Sequence, residues 1–251
     1  MRFEFGRSAV MVLAFCAAGA LTIKGDSVAG GTWQSWTTSQ LVDGTSPTPG
    51  TPYWNNKSSD GAKYNVGWCI AGGGNCIIPN APDKPLQTYT NGSGGAPTNL
   101  QFTSNGAPDG TELLVAITNN QAHDNFGWYT VVGGTPQLNP LFNGTASGTT
   151  MVFTPTSKNY GFYMTDQFGT FYTQTAYDSS KDGFQAFALF DQNAAAGDYY
   201  LGVEDGSTGG DRDYQDMVIH LTQVPEPASL GLIGGGLLFV GTLIRRRKTG
   251  A

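Results

Sequence analysis

The residues best suited to chemistry in this 251-residue chain are carboxylates near its C-terminal end. Five of them lie within thirteen positions, mixed with Gly, Ser and Thr: Glu204, Asp205, Asp211, Asp213 and Asp216. Two carboxylates about 6 Å apart repel by roughly 3 kcal/mol at an effective dielectric near 20, so a fold that gathers them needs a cation or hydrogen-bond donors. Ca²⁺ suits such a segment because it takes six to eight oxygen ligands in flexible geometry.

The same segment also fits a solvated loop between two strands. Aspartates stabilise such loops through Asx turns, and Arg212 offsets part of the negative charge. The segment is not an EF-hand, because Asp216 stands where that loop requires Gly. The sequence therefore leaves two interpretations open, a Ca²⁺ site built from the five carboxylates or a hairpin loop without a ligand.

Motifs of the common enzyme classes are absent from the sequence. There is no G-x-S-x-G elbow, P-loop, H-E-x-x-H or C-x-x-C. The two histidines, His123 and His220, have no motif partner. A glycosidase needs only two carboxylates, but nothing singles out a pair among the sixteen acidic residues of positions 30–224. We therefore predict no catalytic residue and a protein that is not an enzyme.

Cys69 and Cys76 are separated by six residues, Ile-Ala-Gly-Gly-Gly-Asn. An even pair this close predicts a disulfide in an oxidising compartment. A metal pair and a redox site are the alternatives. A metal site would need more ligands than two histidines supply, and the spacing is too long for a C-x-x-C redox motif. The disulfide is the preferred interpretation.

Positions 30–224 contain six basic and sixteen acidic residues, a net charge of −10. Such a surface disfavours nucleic acid and anionic lipid as partners and favours cations. About 195 residues are enough to bury a substantial core. We therefore predict a globular exported region that does not bind nucleic acid.

Short apolar and β-branched runs recur from Gln101 onward, with Gly, Asn, Asp or Pro between them. They predict strands at 112–118, 126–132, 149–154, 160–165, 170–175, 184–191, 199–204 and 217–222. This spacing, without a long amphipathic helix, predicts a mainly β fold, an antiparallel sandwich or jelly roll.

Eight aromatic residues alternate along the predicted strands: Phe126, Trp128, Tyr129, Tyr160, Phe162, Tyr163, Phe171 and Tyr172. Such residues usually form the core of a sandwich and its cross-strand pairs. A sugar-stacking platform is the alternative, and an exposed tryptophan would favour it. The core interpretation is preferred.

The N-terminal segment has the pattern of a secretory signal peptide. Arg2 and Arg7 precede an apolar run over 9–23, and Ser27-Val28-Ala29 offers small residues for cleavage after Ala29. The predicted organisation is a signal peptide at 1–29, a Gly/Pro/Asn-rich part at 30–100, a β-sandwich domain at 101–224 and a C-terminal tail at 225–251. The signal is expected to be a helix and to be removed together with Cys16.

The tail combines a helix breaker, an apolar segment and a basic stop. Pro225 and Pro227 end the preceding fold, and positions 228–244 carry no charge. As a helix these seventeen residues would span roughly 25 Å, a little less than the hydrocarbon core of a bilayer. The basic residues that follow predict a cytoplasmic C-terminus: Arg245, Arg246, Arg247 and Lys248. An ordinary transmembrane anchor would explain these features.

The order of these features also resembles the PEP-CTERM sorting signal of Gram-negative bacteria. The resemblance rests on Val224-Pro225-Glu226-Pro227, the short Gly-rich apolar segment and the Arg cluster. It implies that Pro225, Glu226 and Pro227 form the recognition motif, and that the helix holds the protein in the inner membrane until exosortase processes it. Signal peptidase is the second processing partner. The family is associated with exopolysaccharide and biofilm, so the resemblance implies a cell-surface or secreted protein.

A second resemblance covers roughly positions 112–221. The segments Gly202-Val203-Glu204-Asp205 and Asp211-Arg212-Asp213-Tyr214-Gln215-Asp216 look like the ending of an uncharacterised β-domain common in PEP-CTERM proteins. Gln215 stands where Asn is usual. That domain brings no established activity, although some related domains are thought to bind Ca²⁺.

Three functions follow from the sequence. The preferred one is a structural or adhesive protein of the exopolysaccharide layer. The alternatives are a Ca²⁺-dependent carbohydrate-binding module and a polysaccharide-processing hydrolase. An exposed aromatic groove beside the acidic loop would favour the carbohydrate-binding module, and two facing carboxylates in a deep cleft would favour the hydrolase.

Overall fold

A computed structural model describes residues 25–35, 66, 70, 87–91, 96–116, 124–144, 147–179, 184–205 and 214–224. Within these ranges the chain forms thirteen strands and two short 3₁₀ turns, at Thr175–Tyr177 and Ala194–Ala196. The strands are β1 (Ser27–Ala29), β2 (Thr32–Ser35), β3 (Gln87–Thr90), β4 (Gln101–Thr103), β5 (Asp109–Ala116), β6 (Asn125–Val132), β7 (Thr135–Asn143), β8 (Thr150–Phe153), β9 (Asn159–Thr165), β10 (Thr170–Tyr172), β11 (Phe187–Asn193), β12 (Asp198–Val203) and β13 (Met217–Gln223). The predicted mainly β class is confirmed.

The strands form two sheets, and every pair of strands within them is antiparallel. The first sheet has the order β1-β4-β9-β6-β7, with β10 also paired to β9. The second has the order β2-β3-β11-β12-β13-β5-β8. The central hairpin of the second sheet, β12–β13, therefore brings the two ends of the acidic segment side by side.

All eight predicted strands are present, as β5, β6 and β8–β13, with ends shifted by up to a few residues. The longest strand of the fold, β7, is not among the predictions. It contains Pro136 and Pro140, which interrupt an alternating pattern and mark an edge strand. It forms the outer edge of the first sheet, where a missing backbone donor is tolerated.

One hydrophobic core joins both sheets. Phe102 on β4 lies 5.0 Å from Phe162 on β9 and 6.2 Å from Tyr199 on β12, measured between ring centroids. The eight aromatic residues that the sequence pattern assigned to the core are all buried: Phe126, Trp128, Tyr129, Tyr160, Phe162, Tyr163, Phe171 and Tyr172. Five of them belong to this core, and Tyr129, Tyr163 and Tyr172 form a second buried cluster. The core interpretation of this group is confirmed, and its rings are unavailable as a sugar-stacking platform.

The N-terminal residues belong to the same two sheets. β1 pairs with β4, and β2 pairs with β3, which in turn pairs with β11. Trp33 on β2 stacks on Tyr199 at 5.9 Å and meets Tyr89 edge-on at 4.7 Å. Residues upstream of position 101 therefore supply strands and aromatic contacts to the body formed by the later strands.

The predicted signal helix over 9–23 and the tail helix over 228–244 lie outside the described residues. Among the residues that are described, no helix has the length and apolarity needed to cross a membrane.

Candidate functional site

The two strands of the β12–β13 hairpin carry the acidic segment at their adjoining ends. Glu204 and Asp205 follow β12 directly, and Asp216 directly precedes β13. Asp216 accepts a hydrogen bond from the backbone N–H of Asp205 through Oδ2, at 2.9 Å. Three of the five predicted carboxylates are thus neighbours in space, while Asp211 and Asp213 lie outside the described residues.

Glu204 is buried and holds the returning chain. Its Oε2 accepts a hydrogen bond from the backbone N–H of Tyr214 at 3.0 Å, and its own N–H donates to the carbonyl of Ala186 at 3.0 Å. Tyr214 has φ = 57° and donates its hydroxyl to the carbonyl of Gln185 at 2.8 Å. A non-glycine residue in the left-handed region needs such support. Glu204 therefore stabilises the backbone conformation at Tyr214.

Two further carboxylates, which the sequence did not single out, lie close by. Asp124 precedes β6 and Asp166 follows β9, and the pairing of Asn125 with Thr165 places them at the same sheet end. Asp166 caps its own turn, because Oδ1 accepts from the N–H groups of Phe168 (2.6 Å) and Gly169 (2.9 Å). The only sequence signal for Asp124 was its position at the start of a strong strand.

The side chain of Asp124 is buried and has no hydrogen-bond partner. Its side chain is 1% exposed, and neither carboxylate oxygen is hydrogen-bonded. Burial, with Asp205 and Asp166 nearby, raises the pKa of Asp124 to about 7. A buried carboxylate without donors is costly, so this group favours a proton or a cation.

The described residues do not complete a metal site by themselves. Across the part of the chain that the structure describes, no group of three or more His, Cys, Asp or Glu side chains could hold a metal ion.

A second acidic pair lies inside the body, far from the segment in sequence. Asp26 precedes β1 and Asp109 begins β5, and both line one small cavity with Phe102, Tyr160 and Tyr199. The volume open to the centre of a water-sized sphere is about 10 Å³. That is room for about one water molecule and not for a sugar ring. Among the described residues, this pair therefore lines a small cavity and not a deep cleft of the kind that a hydrolase would use.

The two carboxyl groups differ in their partners. Asp26 accepts hydrogen bonds from the hydroxyl of Tyr160 at 2.9 Å and the backbone N–H of Asn105 at 2.8 Å. Asp109 is 6% exposed, and its Oδ2 has no hydrogen-bond partner. Burial and the adjacent Asp26 raise the pKa of Asp109 to about 8, while burial also raises the pKa of Asp26. Asp109 is therefore the member that holds a proton at neutral pH.

His220 sits on β13 with a carboxylate partner. Its Nε2 lies 2.7 Å from Oδ1 of Asp198, and its ring stacks on Tyr200 at 4.9 Å. Tyr200 on β12 pairs directly with His220 on β13, and Asp198 lies two residues before Tyr200 on β12. The contact reads as a cross-strand pair that stabilises the hairpin.

Most remaining predicted sites lie outside the described residues: Cys69, Cys76, Pro225, Glu226, Pro227, Arg245, Arg246, Arg247 and Lys248. The disulfide therefore stays a prediction. Ala29, the predicted cleavage position, lies at the end of β1 within the first sheet.

The comparison with family models decides the nature of the tail. Residues 223–248 match the PEP-CTERM protein-sorting motif. The chain carries a PEP-CTERM sorting signal. The prediction made from Val224-Pro225-Glu226-Pro227 and the basic stop is confirmed. The PEP-CTERM signal makes the chain an exported protein of the Gram-negative cell envelope that exosortase sorts and processes. No curated protein and no solved structure matches the chain.

Proposed function

We propose that this PEP-CTERM protein is a structural or adhesive component of the cell surface, associated with exopolysaccharide, and that it is not an enzyme. We infer that its two sheets form an antiparallel β-sandwich with jelly-roll-like character. The observation that carries the proposal is a set of exposed apolar side chains on the β6–β7 hairpin, with Val131 and Leu138 on one face and Val132 on the other. Three side chains there are exposed: Val131, Val132 and Leu138.

A tight turn formed by two glycines joins the two strands of the hairpin. Gly133 and Gly134 have φ = 58° and 82°, as a tight two-residue turn between twisted strands requires. Val132, beside the turn, is 64% exposed. Exposed apolar residues gathered on one element favour an interaction surface.

The same edge is protected against pairing with another strand. Pro136 and Pro140 remove backbone donors from β7, the outer strand of the first sheet. Natural sheets use proline in this way to prevent edge-to-edge aggregation. The hairpin is therefore suited to adhesion through its side chains, such as contact with the apolar faces of sugar rings or with other surface proteins.

The test compares surface-bound protein for two variants of the hairpin. A Val131→Ser, Leu138→Ser variant, which changes the two exposed apolar residues of one face, should lose several-fold of its retention on cells and of its co-sedimentation with extracted exopolysaccharide. Thr135→Ser, at an exposed position of the same hairpin, is the matched control and should behave as wild type. Unchanged retention of the double variant would refute the adhesive role of this surface.

A Ca²⁺-dependent module is the second candidate, and Asp124 favours it. Its carboxylate is buried and has no hydrogen-bond partner. Burial and the negative charges of Asp205 and Asp166 raise its pKa, so a bound cation at this position would be favourable. In this proposal Asp124 and Asp205 are ligands, and Asp211 and Asp213 supply further oxygens. Hard oxygen ligands from several chain segments are what Ca²⁺ requires.

Calcium titration with a thermal readout tests this second candidate. Ca²⁺ at millimolar concentration should raise the melting temperature of the processed protein, because a ligand that binds only the folded state stabilises it. Asp124→Asn should remove that response, and Asp198→Asn, which changes a carboxylate on β12 paired with His220, should keep it. Absence of a shift in wild type would eliminate the Ca²⁺ site.

A polysaccharide-processing hydrolase has weaker support. The facing pair Asp26 and Asp109 has a raised pKa on one member, as a general acid would, yet its cavity accommodates about one water molecule. We therefore rank a hydrolase below the other two proposals.

A further inference from the structure

The residues just after the apolar N-terminal run are part of the folded body. Strand β1 pairs with β4 in the register Ser27 with Thr103, Val28 with Phe102 and Ala29 with Gln101. The carbonyl of Val28 also accepts a hydrogen bond from the hydroxyl of Tyr89 at 3.3 Å. Removal of β1 would leave β4 as an edge strand and expose the core beneath it.

Asp26, immediately before β1, connects three separate parts of the chain. Its side chain is 3% exposed and accepts from the hydroxyl of Tyr160 and the backbone N–H of Asn105. Its backbone carbonyl accepts from the hydroxyl of Tyr199 at 2.6 Å. Without Asp26 the buried hydroxyl of Tyr160 would lose its acceptor, and an unsatisfied buried polar group is strongly destabilising.

Gly25, the residue before Asp26, also contacts the folded body. Its N–H donates to the carbonyl of Ala195 at 3.3 Å, and a Cβ built on it would lie 1.9 Å from the backbone nitrogen of Gly197. Gly197 has φ = 71°, and a Cβ there would lie 2.7 Å from the Cα of Gly25. Each glycine allows the close approach of the other, so the fold is shaped to hold this backbone.

A signal peptide that ended at Ala29 would remove Gly25, Asp26 and the whole of β1. The sequence offers another cleavage position upstream, since Ala18-Gly19-Ala20 places small residues at −3 and −1. An apolar run from position 9 and two arginines precede it, which is the order that a secretory signal requires.

We propose that signal peptidase cuts after Ala20, so that the exported chain begins at Leu21 and keeps Asp26 in its core. The reaction is hydrolysis of the Ala20–Leu21 peptide bond. The hydroxyl group of water adds to the carbonyl carbon of Ala20 to give a carboxylate, and the nitrogen of Leu21 takes up a proton to leave as an amine. The retained segment then closes the first sheet at β1 and completes the cavity with Asp109. This inference is independent of the adhesive or Ca²⁺-binding role.

The N-terminal sequence and intact mass of the exported protein test the proposal. The full chain is expressed in a Gram-negative host, and the exported product should begin at Leu21. A product that begins at Gly30, or at any other residue, would overturn it.

Two variants separate the candidate cleavage positions. Ala20→Asp places a charge at the proposed −1 position and should cause the precursor to accumulate. Ala29→Asp, at an exposed position of β1, should leave the rate of processing and the new N-terminus unchanged. Normal processing of Ala20→Asp with a block in Ala29→Asp would refute the proposal even if one variant folds poorly, because both readouts concern the precursor.

Discussion

The carboxyl pair inside the body predicts a pH-dependent stability that a single substitution should remove. Asp109 is buried beside Asp26, and its pKa is raised from 3.8 to about 8. Because the folded-state pKa lies above the unfolded one, the stability that Asp109 contributes is complete at low pH and is lost as pH rises through about 8. Asp109→Asn replaces the carboxyl with a neutral group of the same shape and should eliminate this loss.

The size of the effect follows from the pH interval in which the carboxyl of Asp109 is ionised in the unfolded chain but still protonated in the folded chain. Each pKa unit corresponds to about 1.4 kcal/mol, so ionisation of Asp109 should lower the unfolding free energy by about 4 kcal/mol between about pH 5 and 8. Asp124, whose pKa is raised to about 7, acts in the same direction. The difference between wild type and Asp109→Asn therefore separates the contribution of the Asp26–Asp109 pair from that of Asp124.

Urea unfolding of the processed protein from about pH 5 to 9, in the presence of EDTA, measures this difference. Wild type should lose stability across the range, and Asp109→Asn should be the more stable protein at the alkaline end. Glu112→Gln is the matched control, because Glu112 lies on the same strand with its side chain half-buried. Parallel pH profiles for wild type and Asp109→Asn would refute the reasoning.

Three further predictions concern other parts of the body. Gly197→Ala should cost about 1–3 kcal/mol in urea unfolding, because its φ of 71° is left-handed and the new Cβ would meet Gly25; an unchanged midpoint would contradict this close approach. Glu204→Ala should cost about 2 kcal/mol and speed proteolysis of the following loop, since the backbone N–H of Tyr214 loses its acceptor; resistance equal to wild type would refute its loop-holding role. Asp124→Asn in EDTA should raise the melting temperature at pH 8, because it removes a buried unpartnered charge; a lower melting temperature would show that the carboxylate has a stabilising partner.

Local patterns were enough to predict the eight strands from β5 onward, because each is an apolar or aromatic run bounded by turn residues. Strand β7 was not predicted because Pro136 and Pro140 disfavour a strand when only the local sequence is considered. The strand tolerates both prolines because it lies at the edge of the sheet. Strand β1 escaped because Ser27-Val28-Ala29 also satisfies the small-residue rule of signal cleavage. Pairing with β4, about 74 residues away, is invisible to a local pattern.

The candidate site also contains residues that the local sequence predicts and residues that only the fold reveals. Glu204, Asp205 and Asp216 were conspicuous because they are close together in sequence, and the structure places them together at the ends of β12 and β13. Asp124 and Asp109 were not conspicuous, since each is a single carboxylate at a strand end. Each has a buried carboxylate oxygen without a hydrogen-bond partner and a raised pKa, and both properties arise from burial, which depends on contacts made by distant segments.

Sorting by exosortase is the central claim, and the mass and location of the mature protein test it most directly. Wild type should be recovered from the cell surface or medium without the residues that follow the PEP motif. A variant with Pro225→Ala, Glu226→Ala and Pro227→Ala should remain in the inner membrane at the mass of the chain that retains Arg245–Lys248. An identical mass and location for wild type and variant would contradict the account.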